Sequence, residues 1–133
     1  MGTWGPGSFE NDEAKDWIAV FEKSPGLKPL EEALRVAAAP SDGFLETGVC
    51  QRAMAAAEVV AALVTGEGNG ISDGLLEWAR AKAGMKSEDF RHLAMQALIR
   101  IRTGSELEEI WEDSPDVKVW TATISDLEFR LGA

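Results

Sequence analysis

Apolar residues recur along this chain at steps of three and four, the spacing of amphipathic helices. Ala14, Trp17, Ile18 and Phe21 mark a first stripe. Asn11 is placed to cap it, with Asp12 and Glu13 in the first turn, and Pro25-Gly26 ends it. Leu30, Ala33, Leu34 and Ala37 predict a second helix that starts near Pro29 and stops at Pro40. The longest pattern, Leu45, Val49, Ala53, Ala56, Val60 and Leu63, runs from a cap at Ser41 or Asp42 to Gly66. Gly48 lies inside it and costs about 1 kcal/mol relative to Ala, so its first turns are expected to be irregular.

Glycines at 66, 68, 70 and 74 predict a loop, and Ser72 or Asp73 then caps a helix carrying Leu75, Leu76, Trp78 and Ala79, closed by Gly84. Ser87 opens a segment so rich in apolar residues, from Phe90 to Ile101, that it is expected to be the central helix. Ser105 and Glu108 form a capping box before Leu107, Ile110 and Trp111. After Ser114-Pro115-Asp116, the positions Val117, Trp120, Ile124, Leu127 and Leu131 favour a helix, although the β-branched run 117–124 also suits a strand. The sum is an all-α bundle of about seven helices in one domain, 1–133. Residues 1–10 are too rich in glycine for regular structure and form an irregular arm, pegged to the body by Trp4 and Phe9.

Composition narrows the functional classes. Thirteen Lys and Arg against 23 Asp and Glu leave a net charge of −10 in 133 residues, which argues against nucleic acid as partner. One cysteine excludes an intramolecular disulfide or a cysteine-based zinc site. No apolar run approaches the roughly 20 residues of a membrane span, and the first ten residues have neither the basic nor the apolar part of a signal peptide. A cytoplasmic protein is expected.

Several residues are candidates for chemistry. Asn11, Asp12 and Asp16 could receive a cation or a partner's basic side chain, since Asp12 and Asp16 share a helix face; capping alone also explains Asn11-Asp12. Glu58 interrupts the apolar run 53–63. Buried, it would need a partner, and it reads either as a general acid or as a structural hub bonded to the arm or to an arginine. An exposed Glu58 is also compatible with the pattern. Cys50 and His92 have no signature of a thiol–imidazole couple around them. The 66–74 loop lacks the Lys-Ser/Thr ending of a phosphate loop, and no segment has the spaced acids of a calcium loop. Glu106, Glu108, Glu109, Glu112, Asp113 and Asp116 form an acidic block without a base, either a solvated face or a docking surface for a basic protein. Four of the five tryptophans fit apolar helix stripes, so core packing is their default, and Trp111 beside the acidic block is the candidate anchor of such a surface.

The opening from Gly2 through Trp4, Gly5, Gly7, Phe9, Asn11, Asp12, Ala14 and Asp16 to Trp17 resembles the pattern G-x-W-G-x-G-x-F-x-N-D-x-A-x-D-W of a bacterial family, domain of unknown function 4259. Ala55-Ala56-Ala57-Glu58 and Leu107-x-x-x-Trp111 are similar to that family as well. The resemblance implies a small, helical, cytoplasmic bacterial protein and brings no activity or site residues with it. The residues themselves point to no catalytic set, cofactor or metal. The expected function is therefore non-enzymatic: an immunity-like or regulatory protein that binds a basic partner through Glu108, Glu109, Glu112 and Trp111. Two alternatives are a cation-dependent or hydrolytic protein using Asp12, Asp16 and Glu58, and a small-molecule binder with a pocket between helices.

Overall fold

The computed structural model describes residues 5–39, 45–84 and 87–132. Among these are seven helices and no strand: α1 (Asp12–Lys23), α2 (Leu27–Ala38), α3 (Thr47–Thr65), α4 (Asp73–Lys82), α5 (Ser87–Thr103), α6 (Glu106–Glu112) and α7 (Val117–Arg130). Trp4, Pro40 and the proposed caps Ser41 and Asp42 lie outside the described residues.

The central helix is α3, not α5. Every residue from Ala53 to Leu63 is buried, and α3 packs against each of the other six helices. The physical reason is side-chain size. Alanines at 53, 55, 56, 57, 61 and 62 leave a thin cylinder that neighbours can approach from all sides. By contrast, α5 buries Phe90, Ala94, Ala97, Leu98 and Ile101, while Ile99 faces solvent. Alone, α3 is also long and apolar enough to cross a membrane, which a search for unbroken apolar runs misses because Gln51, Arg52 and Glu58 punctuate it. In the fold most of that surface is buried against protein.

Helix ends follow local chemistry. Asn11 Oδ1 accepts the Ala14 N–H at 2.7 Å, and Ser72 Oγ accepts that of Leu75 at 3.2 Å. Ser105 Oγ accepts the Glu108 N–H at 3.0 Å and donates to the Ile101 carbonyl at 2.6 Å, joining the end of α5 to the start of α6. Two starts differ from expectation. α2 begins at Leu27, placing Pro29 within the first turn, where its missing N–H has no intrahelical partner to lose. α3 begins at Thr47, and Leu45 lies outside it, its carbonyl accepting the Glu106 N–H at 2.9 Å. Glu106 then returns the contact, its carboxylate accepting the Thr47 N–H at 2.8 Å and the Thr47 hydroxyl at 2.6 Å. The N-termini of α3 and α6 are thus stitched together, and a side chain 59 residues away acts as the cap of α3. Gly48 is helical, and the Arg52–Glu13 ion pair lies beside the position a Cβ would take.

The segment 117–130 is a helix, with Trp120, Ile124 and Leu127 on its buried face and Leu131 buried just beyond it. Trp17 stacks on Phe21 at 4.9 Å, and Phe21 meets Trp78 edge-on at 5.5 Å, tying α1 to α4.

Candidate functional site

Residues 5–10, the described part of the arm, form a tight glycine turn. Glu10 folds back so that its Oε1 accepts the Gly7 N–H at 2.7 Å, and a Cβ on Gly5 or Gly7 would stand 2.6 Å from its carboxyl group. The turn buries Ser8 and Phe9. The Phe9 ring lies against Gly70, whose φ of +83° and 2.7 Å gap leave no room for a side chain. The 66–74 loop is therefore part of the arm's seat as well as a connector.

Ser8 points its hydroxyl at Glu58 Oε2, 2.9 Å away. Glu58, only 2% exposed, also accepts two bonds from Arg130: Nη1 to Oε1 at 2.9 Å and Nη2 to Oε2 at 3.1 Å. Arg130 Nε donates to Asp126 Oδ2 at 2.8 Å. Burial works against the charge on Arg130, but the bonds and charges of Glu58 and Asp126 outweigh it and hold the guanidinium pKa above its ordinary value. One forked pair thus joins the arm, α3 and the last turn of α7. Chemically the carboxylate is occupied: Oε1 accepts from Arg130 and Oε2 from Arg130 and Ser8, the contacts of a structural hub.

Above this pair opens a cleft of about 480 Å³, bounded by the arm, Asn69-Gly70 and α7, with Val119, Ala122 and Thr123 on the α7 wall. Glu58 and Arg130 lie on its lining, and Asp126 and Glu10 complete its charged groups. Neither Asp12 nor Asp16 lines it; both are exposed on α1. Among the described residues no group of three or more His, Cys, Asp or Glu is arranged to hold a metal ion.

The acidic block divides. Glu106, though exposed, bends onto Thr47, whose hydrogen bonds hold its carboxyl below the usual range. Glu109, Glu112, Asp113 and Asp116 are exposed and Glu108 half-buried, and none of the five forms an ion pair among the described residues. Some acids elsewhere are partnered, Glu13 by Arg52, Glu31 by Arg35, Glu88 by Arg91 and Glu128 by Arg102, whereas Asp12, Asp16, Glu32, Asp73, Glu77 and Asp89 form no ion pair among the described residues. Trp111 departs from expectation, because it is only 8% exposed and sits in the core beneath the arm. A seven-residue helix has one inward stripe, and Leu107 with Trp111 at i, i+4 is that stripe. The exposed apolar residues near the acids are instead Ile110 on α6 and Val119 on α7.

Cys50 and His92 are apart. Cys50 is fully buried, its pKa raised by that burial, with Ser105, Leu107, Glu106 and Arg100 as its electrostatic neighbours. His92 is exposed on α5, at a surface cavity between α2 and α5. Sequence reasoning missed Ser8, Asp126 and Arg130. A signal for the last two existed, since Asp126 and Arg130 are an i, i+4 pair beside the core positions Leu127 and Leu131.

No curated protein and no solved structure matches the chain. The family Domain of unknown function (DUF4259) matches residues 2–123, which takes in the arm, Glu58 and the acidic helix and stops short of Asp126 and Arg130. The chain belongs to the DUF4259 family.

Proposed function

We propose that this protein works by binding another protein, one with a basic surface, through the acidic face of α6 and the turn that follows it. The observation that carries this reading is the clustering of five carboxylates, Glu108, Glu109, Glu112, Asp113 and Asp116, in a stretch with no Lys or Arg, none of them in an ion pair among the described residues. Unneutralised like charges on one short helix repel one another, and a basic partner relieves that repulsion. Such a field steers a partner into place and sets the salt sensitivity of the complex more than its final affinity. Ile110 and Val119, about half exposed at 50% and 53%, supply apolar contact area. An immunity-like or regulatory role in the cytoplasm fits a small binding protein of this kind.

The test is capture of partners from the native host at low and high salt, using the full chain and the charge-reversed variant Glu108→Lys, Glu109→Lys, Glu112→Lys. Basic proteins retained at low salt, released at high salt and lost with the variant would support the reading. Recovery that is the same with both proteins would refute it.

A second reading rests on the cleft over Glu58 and Arg130. Its volume of about 480 Å³ falls within the range of small-molecule sites, roughly 300–1,000 Å³. A thermal-shift screen of small metabolites against the wild type and Thr123→Trp, which would fill the cleft, tests it. Stabilisation of the wild type alone is the supporting result.

A further inference from the structure

Beside the arm lies a second, much smaller and partly open niche, about 10 Å³, walled by Gly5, Pro6, Asn11, Gln51, Trp111 and Trp120 among others. Trp120 is 3% exposed, and its Nε1 is the one buried side-chain nitrogen or oxygen among the described residues without a hydrogen-bond partner. A buried indole N–H calls for an acceptor, because the bond it gives up with bulk water is otherwise uncompensated. We infer that this niche is the binding site of a single internal water molecule, which accepts from Trp120 Nε1 and donates to oxygen atoms of the arm and its seat.

Size selects water, since a cavity of roughly 10–15 Å³ admits one molecule. Chemistry selects it again. The donor end of the indole repels a cation, and the lining carries no Lys or Arg to balance an anion. Oxygen acceptors are at hand. Asn11 Oδ1 receives one hydrogen bond, from Ala14, and has a second lone pair, and Gly5, Pro6 and Gly7, whose peptide oxygens are further acceptors, are on the same lining. The arm supplies part of the wall, so the site is complete only while the arm is docked. Its water is therefore a reporter of docking, independent of whether α6 binds a partner.

The experiment is proton NMR of the full chain with the tryptophan side chains labelled with nitrogen-15. The expected result is a cross-peak from the Trp120 indole proton to the water line, with the sign of a long-lived bound molecule and slow exchange of the indole proton with solvent. Trp120→Phe should delete that peak, and the wild-type spectrum decides the question even if this variant does not fold. Ser8→Ala, which unhooks the arm from Glu58, is expected to speed indole exchange several-fold. A Trp120 indole proton with no water contact, or with the brief contact of an exposed indole, would overturn the site. Exchange unaffected by Ser8→Ala would overturn the arm's part in closing it.

Discussion

Replacing Arg130 by Met keeps most of the stem that packs beside Glu58 while removing the charge that neutralises it. Glu58 would be left 2% exposed with only the Ser8 hydroxyl for company. Breaking a buried pair from one side costs about 3–5 kcal/mol, chiefly the penalty of the stranded ion. The Arg130 side chain is 19% exposed to the cleft, so water can reach the site, which places the expectation at the lower end, about 3 kcal/mol. With a urea slope of about 2 kcal/mol per molar, the unfolding midpoint should fall by about 1.5 M. Glu58→Gln should cost less, about 1–2 kcal/mol, because it removes the charge needing compensation and leaves Arg130 to water and Asp126. The double variant should be more stable than the sum of the two losses predicts, by about 1.5 kcal/mol or more. Urea titrations of all four proteins give this coupling directly. Losses that add within about 0.5 kcal/mol would refute the view that the two residues act as one unit.

Other expectations follow from the same geometry. Trp111→Ala should destabilise by about 3–5 kcal/mol, as buried aromatic truncations do. Glu112→Lys, on the exposed side of the same helix, should change stability by less than about 0.5 kcal/mol; chemical denaturation separates the two. Gly70→Ala places a Cβ 2.7 Å from the Phe9 ring at a φ of +83°, and should cost about 1–3 kcal/mol while making the arm more sensitive to protease. Glu106, with its pKa below the ordinary 4.5, favours the folded state above the unfolded pKa, and that contribution fades as pH falls through the lower, folded value. The stability gap between wild type and Glu106→Gln should therefore be widest near neutrality and shrink below pH 4.5; a gap that widens with acid would contradict the cap on Thr47.

Helices were readable wherever local spacing decides them. The stripes of α1, α4 and α7, and the caps Asn11, Ser72 and Ser105, depend on residues within one or two turns of each other. What depended on distant parts of the chain was not readable. Apolar content alone ranked α5 above α3, because counting large side chains overlooks that alanine admits neighbours on every side. The start of α3 was set by Glu106, a residue from another helix. Glu58 stood out as an anomaly by sequence, yet its cation lies 72 positions on, and no local pattern links the two. Of the apolar residues Leu107, Ile110 and Trp111 on α6, spacing alone did not say which would face out, and the one-stripe helix turns Trp111 inward and leaves Ile110 exposed.

The thin alanine helix at the centre has a consequence for synthesis. α3 leaves the ribosome after α1 and α2 but before α4, α5, α6 and α7, all of which pack against it in the fold. At translation speeds of about 5–20 residues per second, the nascent polypeptide carries this greasy rod uncovered for several seconds. Uncovered, it presents the length and apolar composition of a bilayer span, the kind of transiently exposed surface that makes a folding intermediate prone to aggregate. The arginine near the far end of the last helix, arriving at the buried carboxylate, is among the final contacts to form, so truncation within the closing dozen residues should send the product to aggregates or proteases.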